Sequence, residues 1–303
     1  MGRNYRQFIK NTKACARSLY HYVFDSPSQT IDANKDYLSI VAVIKDEAPY
    51  LVEWIEYHKL VGVTRFYLYD AATDNTREVL EPYISKGEVI YFEAKGKGVQ
   101  IPCYNDFLSR FRQNSRWVAI IDADEFLAPM DPYTSIPMFL SEFEEYPAVG
   151  VNWVVYDSNG HVEKPEGLVI ENYTRVNLDV NSSGNHVIKS IIQPIQTLFC
   201  SRPHCCLYNP FSKHRWAVTE NYQPIIGKNM DELSRSEYVS INKIRCCHFF
   251  SKSKEEFVMK CKRGMADSNK YRLVTEDQYN FPETKQDFTM IKYVKILNDK
   301  IRG

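Results

Sequence analysis

Nothing in this 303-residue chain has the apolar length of a membrane-spanning helix: no run approaches the ~18–20 residues such a helix needs. The first residues also lack the apolar core of a secretory signal. Neither sign of charge is in excess, since Lys+Arg and Asp+Glu both total 38, so net charge gives no signal for nucleic acid or membrane. Glycine (12) and proline (14) are together fewer than tyrosine (21) and phenylalanine (16), which excludes collagen-like and low-complexity chains. No internal repeat is present, so a solenoid is excluded as well. No C-x-x-C pair exists, which removes the spacing of redox motifs and zinc ribbons. No P-loop or G-x-G-x-x-G exists either; Lys95-Gly96-Lys97-Gly98 is a flexible basic loop, and any bound phosphate must rely on a metal and basic side chains. What is present, 44% hydrophobic and 25% charged residues, reads as a soluble globular protein of one large α/β domain or two small ones.

The eight cysteines are too sparse for a disulfide scaffold at this length. They read as buried thiols in a reducing cytosol, the lesser alternative being a zinc site with His204 and His248. Residues 1–24 carry Arg3, Arg6, Lys10, Lys13 and Arg17 and no acid, with Tyr5, Phe8, Ile9, Tyr20 and Val23 near one helical stripe. A basic amphipathic helix of this kind suits an anionic membrane surface, or packs on the domain. Residues 25–36 read as a polar linker.

From residue 37 strands and helices alternate. Leu38–Ile44 is a buried β-branched strand. Pro49 then opens a helix with Leu51, Trp54, Ile55 and His58 on one face, and Gly62 stops it. Arg65–Asp70, Glu88–Phe92 and Trp117–Ile121 read as further strands, with helices over 73–86 and 103–114. Such alternation predicts a mainly parallel sheet flanked by helices, with ligands at the carboxyl ends of the strands. After residue 130 the pattern becomes mixed. Strands are expected over 149–156, 168–173 and 244–250, a Ser253/Glu256 capping box opening a helix to Arg263, and a helix over 283–303.

The sharpest chemical signal is IIDADEF. Asp122 and Asp124 follow the strand Trp117–Ile121, and in extended backbone the i, i+2 spacing sends both carboxylates to one side. Hard oxygen ligands at a strand end suit Mn2+ or Mg2+ bridging substrate phosphates. Glu125 is expected to cap the turn that follows. Asp46 and Glu47 after the first strand, with Asp70 and Asp74 after the second, either hold a ribose or base edge or cap helices. Tyr104, Asn105 and Asp106, at the start of the third helix, either face the same opening or cap that helix. Lys252–Arg272 holds seven basic and three acidic residues, of which Lys252, Lys254 and Arg263 either meet a leaving diphosphate or belong to a solvated helix face.

The ordered series VIKDEAPYLVEWIEYHKLVGV, FYLYDAATDNT, YNDFL, WVAIIDADEF, VNWVVYDSNGH, KPEGLVIENYTR and HFFSKSKEEFVMKCKRGMAD closely resembles glycosyltransferase family 92 and its bacterial relatives, over roughly three-quarters of the chain. The resemblance implies a GT-A type Rossmann-like fold and transfer of a sugar, commonly galactose from UDP-galactose, with inversion. It places Asp122 and Asp124 on the family's metal-binding D-x-D, Asp46 and Glu47 on its N-E, and Asp70 and Asp74 on its Y-D-x-x-x-x-D. His161 and Glu166 fall on its G-H…P-E-G loop and His248 on its late I-N-H-Y. Asp46 for Asn, Ala123 for a larger aliphatic and Cys-His-Phe-Phe for Asn-His-Tyr are departures that bear on the sugar rather than on the reaction class.

An inverting transfer needs a base on the acceptor side. Glu166 is the first choice, Asp157 and Glu163 the next, and His161 orients the acceptor. His248 is read as completing the metal site, His204 as lining the acceptor side or a surface turn, and Trp153 and Trp216 as sugar platforms or core. The expected organisation is a basic helix and linker (1–36), a nucleotide-sugar-binding half (37–130), an acceptor-binding half (131–282) and a basic C-terminal helix (283–303). The expected protein is a cytoplasmic, metal-dependent hexosyltransferase using a UDP-sugar. Its acceptor is a glycan or lipid-linked saccharide, it works with possible peripheral contact at the inner face of a bacterial membrane, and it has no nucleic-acid partner. The alternatives are a nucleotidyltransferase sharing the D-x-D and a non-catalytic carbohydrate-binding domain.

Overall fold

A computed structural model describes residues 36–96, 98–263 and 273–302. The basic segment 1–24, most of the linker and Cys15 lie outside the described residues.

The strand β1 (Asp36–Ile44) is buried on both faces, as a central parallel strand must be. Leu38, Ile40, Ala42 and Ile44 join one apolar core with Trp54, Phe66 and Trp117. Val41 and Val43 point the other way, into a second core with Tyr104, Phe107 and Ile120. Period-2 alternation therefore feeds two layers from one strand. The helix α1 (Ala48–Leu60) covers the first layer, with proline in its first turn as expected. Gly62 follows it with φ +106°, and a Cβ there would lie 2.6 Å from Pro137 Cδ, so both backbone and space require glycine.

The chain continues through β2 (Arg65–Asp70), α2 (Thr76–Ser85), β3 (Val89–Glu93), α3 (Gln100–Phe111) and β4 (Ser115–Ile120). These give a parallel array in the order β3-β2-β1-β4. Then come β5 (Glu125–Pro129), α4 (Ile136–Leu140), β6 (Ala148–Val155), α5 (Val169–Asn172), β7 (Arg175–Asn177) and β8 (Ile188–Ile192). The hairpin β9 (Thr197–Arg202) and β10 (Cys205–Tyr208) precedes β11 (Ile244–His248), α6 (Lys254–Arg263), β12 (Thr284–Gln286) and α7 (Val294–Arg302). The eight-stranded sheet runs β3-β2-β1-β4-β8-β6-β11-β5. Its first four strands are parallel, whereas β8 is antiparallel to both β4 and β6. This is the mixed α/β, Rossmann-like architecture anticipated for a GT-A type chain.

Two local expectations change. Residues 169–172 form a turn of helix rather than a strand, because the carboxylate of Glu53 takes the backbone N–H of Val169 (2.8 Å) and Ile170 (3.0 Å) and so caps its start. Within the C-terminal segment, Thr284–Gln286 pairs antiparallel with β7, so only Val294–Arg302 is the α-helix.

Candidate functional site

The loops after β1, β2 and β4 meet at one edge of the sheet. Asp46 adopts a left-handed φ of +51°, and its Oδ1 accepts from Thr73 N at 2.7 Å. Asp70 accepts from Ala72 N (2.8 Å) and from the Tyr91 hydroxyl (2.7 Å). Asp74 accepts from Ala48 N (3.2 Å) and Thr76 N (3.1 Å), the first residues of α1 and α2. Asp46 and Asp70 therefore hold the loops together, and of the three only Asp74 bonds to helix starts. Glu47 is different: it is buried and faces two cations, Lys252 Nζ at 3.2 Å and the Arg263 guanidinium.

The D-x-D is not extended, as the i, i+2 argument assumed. Ala123 and Asp124 form a turn in which Glu125 N donates to Asp122 O at 3.1 Å. Glu125 closes that turn as expected, its Oε2 accepting from Asp122 N at 2.8 Å. It is fully buried, and burial pushes its carboxyl up to about 8 against the pull of Lys189. Both oxygens of Asp122 are engaged, Oδ1 by Gln100 Nε2 (2.8 Å) and Oδ2 by Lys189 Nζ (2.7 Å). Burial raises Asp122, but the Lys189 ammonium outweighs it and holds the carboxyl below its ordinary range. Asp124 is also buried and lies well below that range, because Lys260 overcomes its desolvation.

Lys260 binds the Asp124 carboxylate and donates to Phe250 O at 2.7 Å. It reaches the site because Glu256, Lys260 and Arg263 share a face of α6 at i, i+4, i+7. Glu256 forms the anticipated capping box with Ser253 and accepts from the Tyr50 and Tyr173 hydroxyls. Lys254 projects from another side of the helix. It is exposed and lies 5.9 Å over the Tyr279 ring, away from the carboxylates that Lys260 faces.

His248, the last residue of β11, sets its Nε2 3.6 Å from Asp124 Oδ2, and its Nδ1 is buried with no hydrogen-bond partner among the described residues. Burial drives it below the ordinary histidine value, with Asp124 only partly offsetting, so the cation on Asp124 is Lys260. Trp153 contacts the rings of both His248 (4.2 Å) and His204 (5.2 Å). Among the described residues no three of His, Cys, Asp and Glu converge as metal ligands. The donor types of Asp122, Asp124 and His248 are nevertheless ones that Mn2+ or Mg2+ accepts.

Residues 157–167 run along the start of α6, where Lys254 N and Glu255 N donate to His161 O (3.1 Å) and Val162 O (2.9 Å). Lys164 and Lys252 both lie over the Tyr50 ring, at 4.5 and 3.9 Å, which brings this loop beside Glu47. Asp157 is wholly buried and occupied, accepting from Arg175 Nε (2.9 Å), Asn159 N (2.8 Å) and Phe281 N (3.0 Å). A carboxylate so satisfied is a structural anchor and a poor base. Glu163 and Glu166 are exposed; Gly167, at φ +98°, turns the chain directly after Glu166. His161 rests edge-on against Tyr173 at 5.7 Å.

Trp153 is half-buried and Trp216 exposed. Asn105 is turned away from the opening, exchanging hydrogen bonds with Cys200 N and O at 2.9 Å each, while Asp106 accepts from the Tyr69 hydroxyl at 2.8 Å. Lys189, Lys260 and Gln100 are the site residues that sequence reasoning missed. Lys189 had a readable signal, a single charge inside the apolar strand VIKSII. Gln100 and Lys260 had none.

The chain matches the description of glycosyltransferase family 92 over residues 40–226. It is 32% identical over 92 residues to a glycosyltransferase family 92 protein of Oryza sativa subsp. japonica, covering 30% of this chain and 16% of that one. It is 32% identical over 105 residues to a galactan beta-1,4-galactosyltransferase of Arabidopsis thaliana, covering 31% and 20%. The chain therefore spans a fifth or less of these curated relatives. Among solved structures, a mannosyltransferase from Pyrobaculum calidifontis in complex with GDP-Man and Mn2+ aligns at 17% identity with a TM-score of 0.30, covering 48% of this chain and 46% of that one.

Proposed function

The chain belongs to glycosyltransferase family 92, and from that premise we propose that it transfers a hexose, galactose, from a UDP-sugar to a glycan acceptor with inversion at the anomeric carbon. The observation that carries this reading is the meeting of carboxylates and cations at the strand ends, Asp122 with Lys189, Asp124 with Lys260, and Glu47 with Lys252 and Arg263. A diphosphate entering there finds cations already facing the site, and their present carboxylate partners are the groups it would compete with. Asp124 and His248, with Asp122 beside them, would hold a divalent ion. Such an ion supplies charge neutralisation of the departing diphosphate.

Glu166 is the base in this reading, since Asp157 is committed to Arg175 and Phe281 N. The acceptor then approaches along 157–167, with His161 orienting it. The half organised by β1–β4 (37–130) binds the donor, and the segment 131–282 binds the acceptor. The acceptor class extends to lipid-linked saccharides if the basic segment 1–24 rests on an anionic membrane. No helix among the described residues is long and apolar enough to cross one.

The test is nucleotide release from a panel of UDP-sugars, with a glycan acceptor, in Mn2+ and in EDTA. UDP release fastest from UDP-galactose and lost in EDTA supports the reading. Full turnover in EDTA removes the metal, pyrophosphate release in a parallel assay with UTP and a sugar 1-phosphate indicates nucleotidyl transfer, and sugar binding without turnover indicates a binding domain.

A further inference from the structure

The β9–β10 hairpin stands off the main sheet and carries Cys200, Cys205 and Cys206. All three thiols are buried. Antiparallel pairing sets Cys200 opposite Cys206, and their sulfurs lie 2.8 Å apart. Directly opposed residues on antiparallel strands hold their Cα atoms about 4.5–5.5 Å apart, inside the ~4.4–6.8 Å span of a disulfide. Closing the sulfurs to the bonded distance of about 2.0 Å therefore asks for side-chain rotation and leaves the strands in place. Cys205 has separate company: its Sγ contacts Ser201 Oγ at 3.4 Å and Met230 O at 3.7 Å. A register shift between Cys205 and Cys206 keeps the two neighbours from sharing one partner.

We propose that Cys200 and Cys206 form a redox-responsive pair, closing to a cross-strand disulfide when the chain meets a small-molecule disulfide oxidant. In the first exchange the thiolate of one cysteine attacks a sulfur of the oxidant and expels one small thiol. In the second, the other cysteine attacks the mixed disulfide, forms the Cys200–Cys206 bond and expels the second small thiol. The two cysteines lose two protons and two electrons, and the oxidant is reduced to two thiols. Burial, reinforced by the Cys200 contact, pushes the Cys206 thiol well above its ordinary value, so closure is slow and follows a sustained redox poise.

The hairpin is a wall of the candidate site. Cys200 N and O clamp Asn105 of α3, the helix whose first residue, Gln100, holds Asp122. The turn between β9 and β10 carries His204 against Trp153. A disulfide would staple this wall by joining its two strands, an effect separate from the transfer chemistry.

The test equilibrates the full chain in glutathione buffers from reducing to oxidising, starting from both the reduced and the refolded-oxidised protein. It is then unfolded, alkylated and digested with trypsin. Arg202 precedes Pro203, so all three cysteines stay in the peptide Ser190–Lys213. Three labels are expected at the reducing end and one, on Cys205, at the oxidising end. Cys205→Ser should preserve the loss of two labels and Cys206→Ser should abolish it. Fragmentation of the wild-type peptide locates the surviving label whether or not the variants fold. Three labels persisting under oxidised glutathione from both starting states, or a surviving label on Cys200 or Cys206, overturns the proposal.

Discussion

Replacing Lys189 by methionine keeps the length of the side chain and removes the charge, and the structure sets the size of the consequence. The Lys189 ammonium is fully buried, 2.7 Å from Asp122 Oδ2 and 3.2 Å from Glu125 Oε2. Removing one member of a buried ion pair costs about 3–5 kcal/mol, because the partner charge stays desolvated. Two features place Lys189→Met at the low end, near ~3 kcal/mol. The Asp122 side chain is 32% exposed, so water screens part of its charge. Glu125 is already pushed up to about 8 and can take a proton in place of the lost ammonium. Urea unfolding should show the loss as a lower midpoint at unchanged slope, with a fall in Tm of several degrees. Adding Glu125→Gln to Lys189→Met should recover little, since a carboxyl that has taken up a proton is already neutral in the single variant. Lys189→Met within ~0.5 kcal/mol of wild type, the range of an ordinary surface change, would refute the buried triad.

Lys260→Met removes the cation that occupies Asp124, so calorimetry should find Mn2+ bound more tightly than by wild type; equal or weaker binding would show that Lys260 does not compete with an ion. Glu166→Gln should lower turnover by ~10²–10⁴, the usual contribution of a general base, and leave the melting temperature unchanged because the residue is exposed; near-normal turnover would pass the role to Glu163. His58 is fully buried between Trp54 O (2.8 Å) and Leu127 N (3.3 Å), and burial lowers it from 6.5 to about 3. Its folded form refuses a proton that the unfolded chain accepts, so this stability is full above the unfolded value near 6.5 and is lost as pH falls toward 3. By pH 5 the loss is about 2 kcal/mol, and in His58→Asn the slope of stability against pH between 6.5 and 4 should shrink by close to one proton.

Much of this molecule was legible in the chain alone, wherever local patterning and local burial agree. β1 is a mostly apolar run because a central parallel strand is covered on both faces, and α1 reads from Pro49 and the i, i+3, i+4, i+7 stripe because one face packs on that sheet. The Ser253/Glu256 box and the Glu125 turn cap are contacts three residues apart, so sequence spacing fixes them. Asp122 and Asp124 stand out because they follow the carboxyl end of a parallel strand, where such sheets commonly bind ligands. What neighbours those carboxylates was decided only by tertiary structure. Lys189 arrives from a strand 67 residues away and Lys260 from a helix 136 residues beyond Asp124. The same long-range pairing turned residues 169–172 into a helical turn capped by Glu53, and drew residues 284–286 onto β7. It also consumed Asp157 with Arg175 and left Lys254 outside the site, although both had the residue type for a role there. Spacing along a chain encodes which face a side chain takes on its own element; which charge meets that face depends on how distant elements pack, and burial then makes such pairings costly to leave unmade.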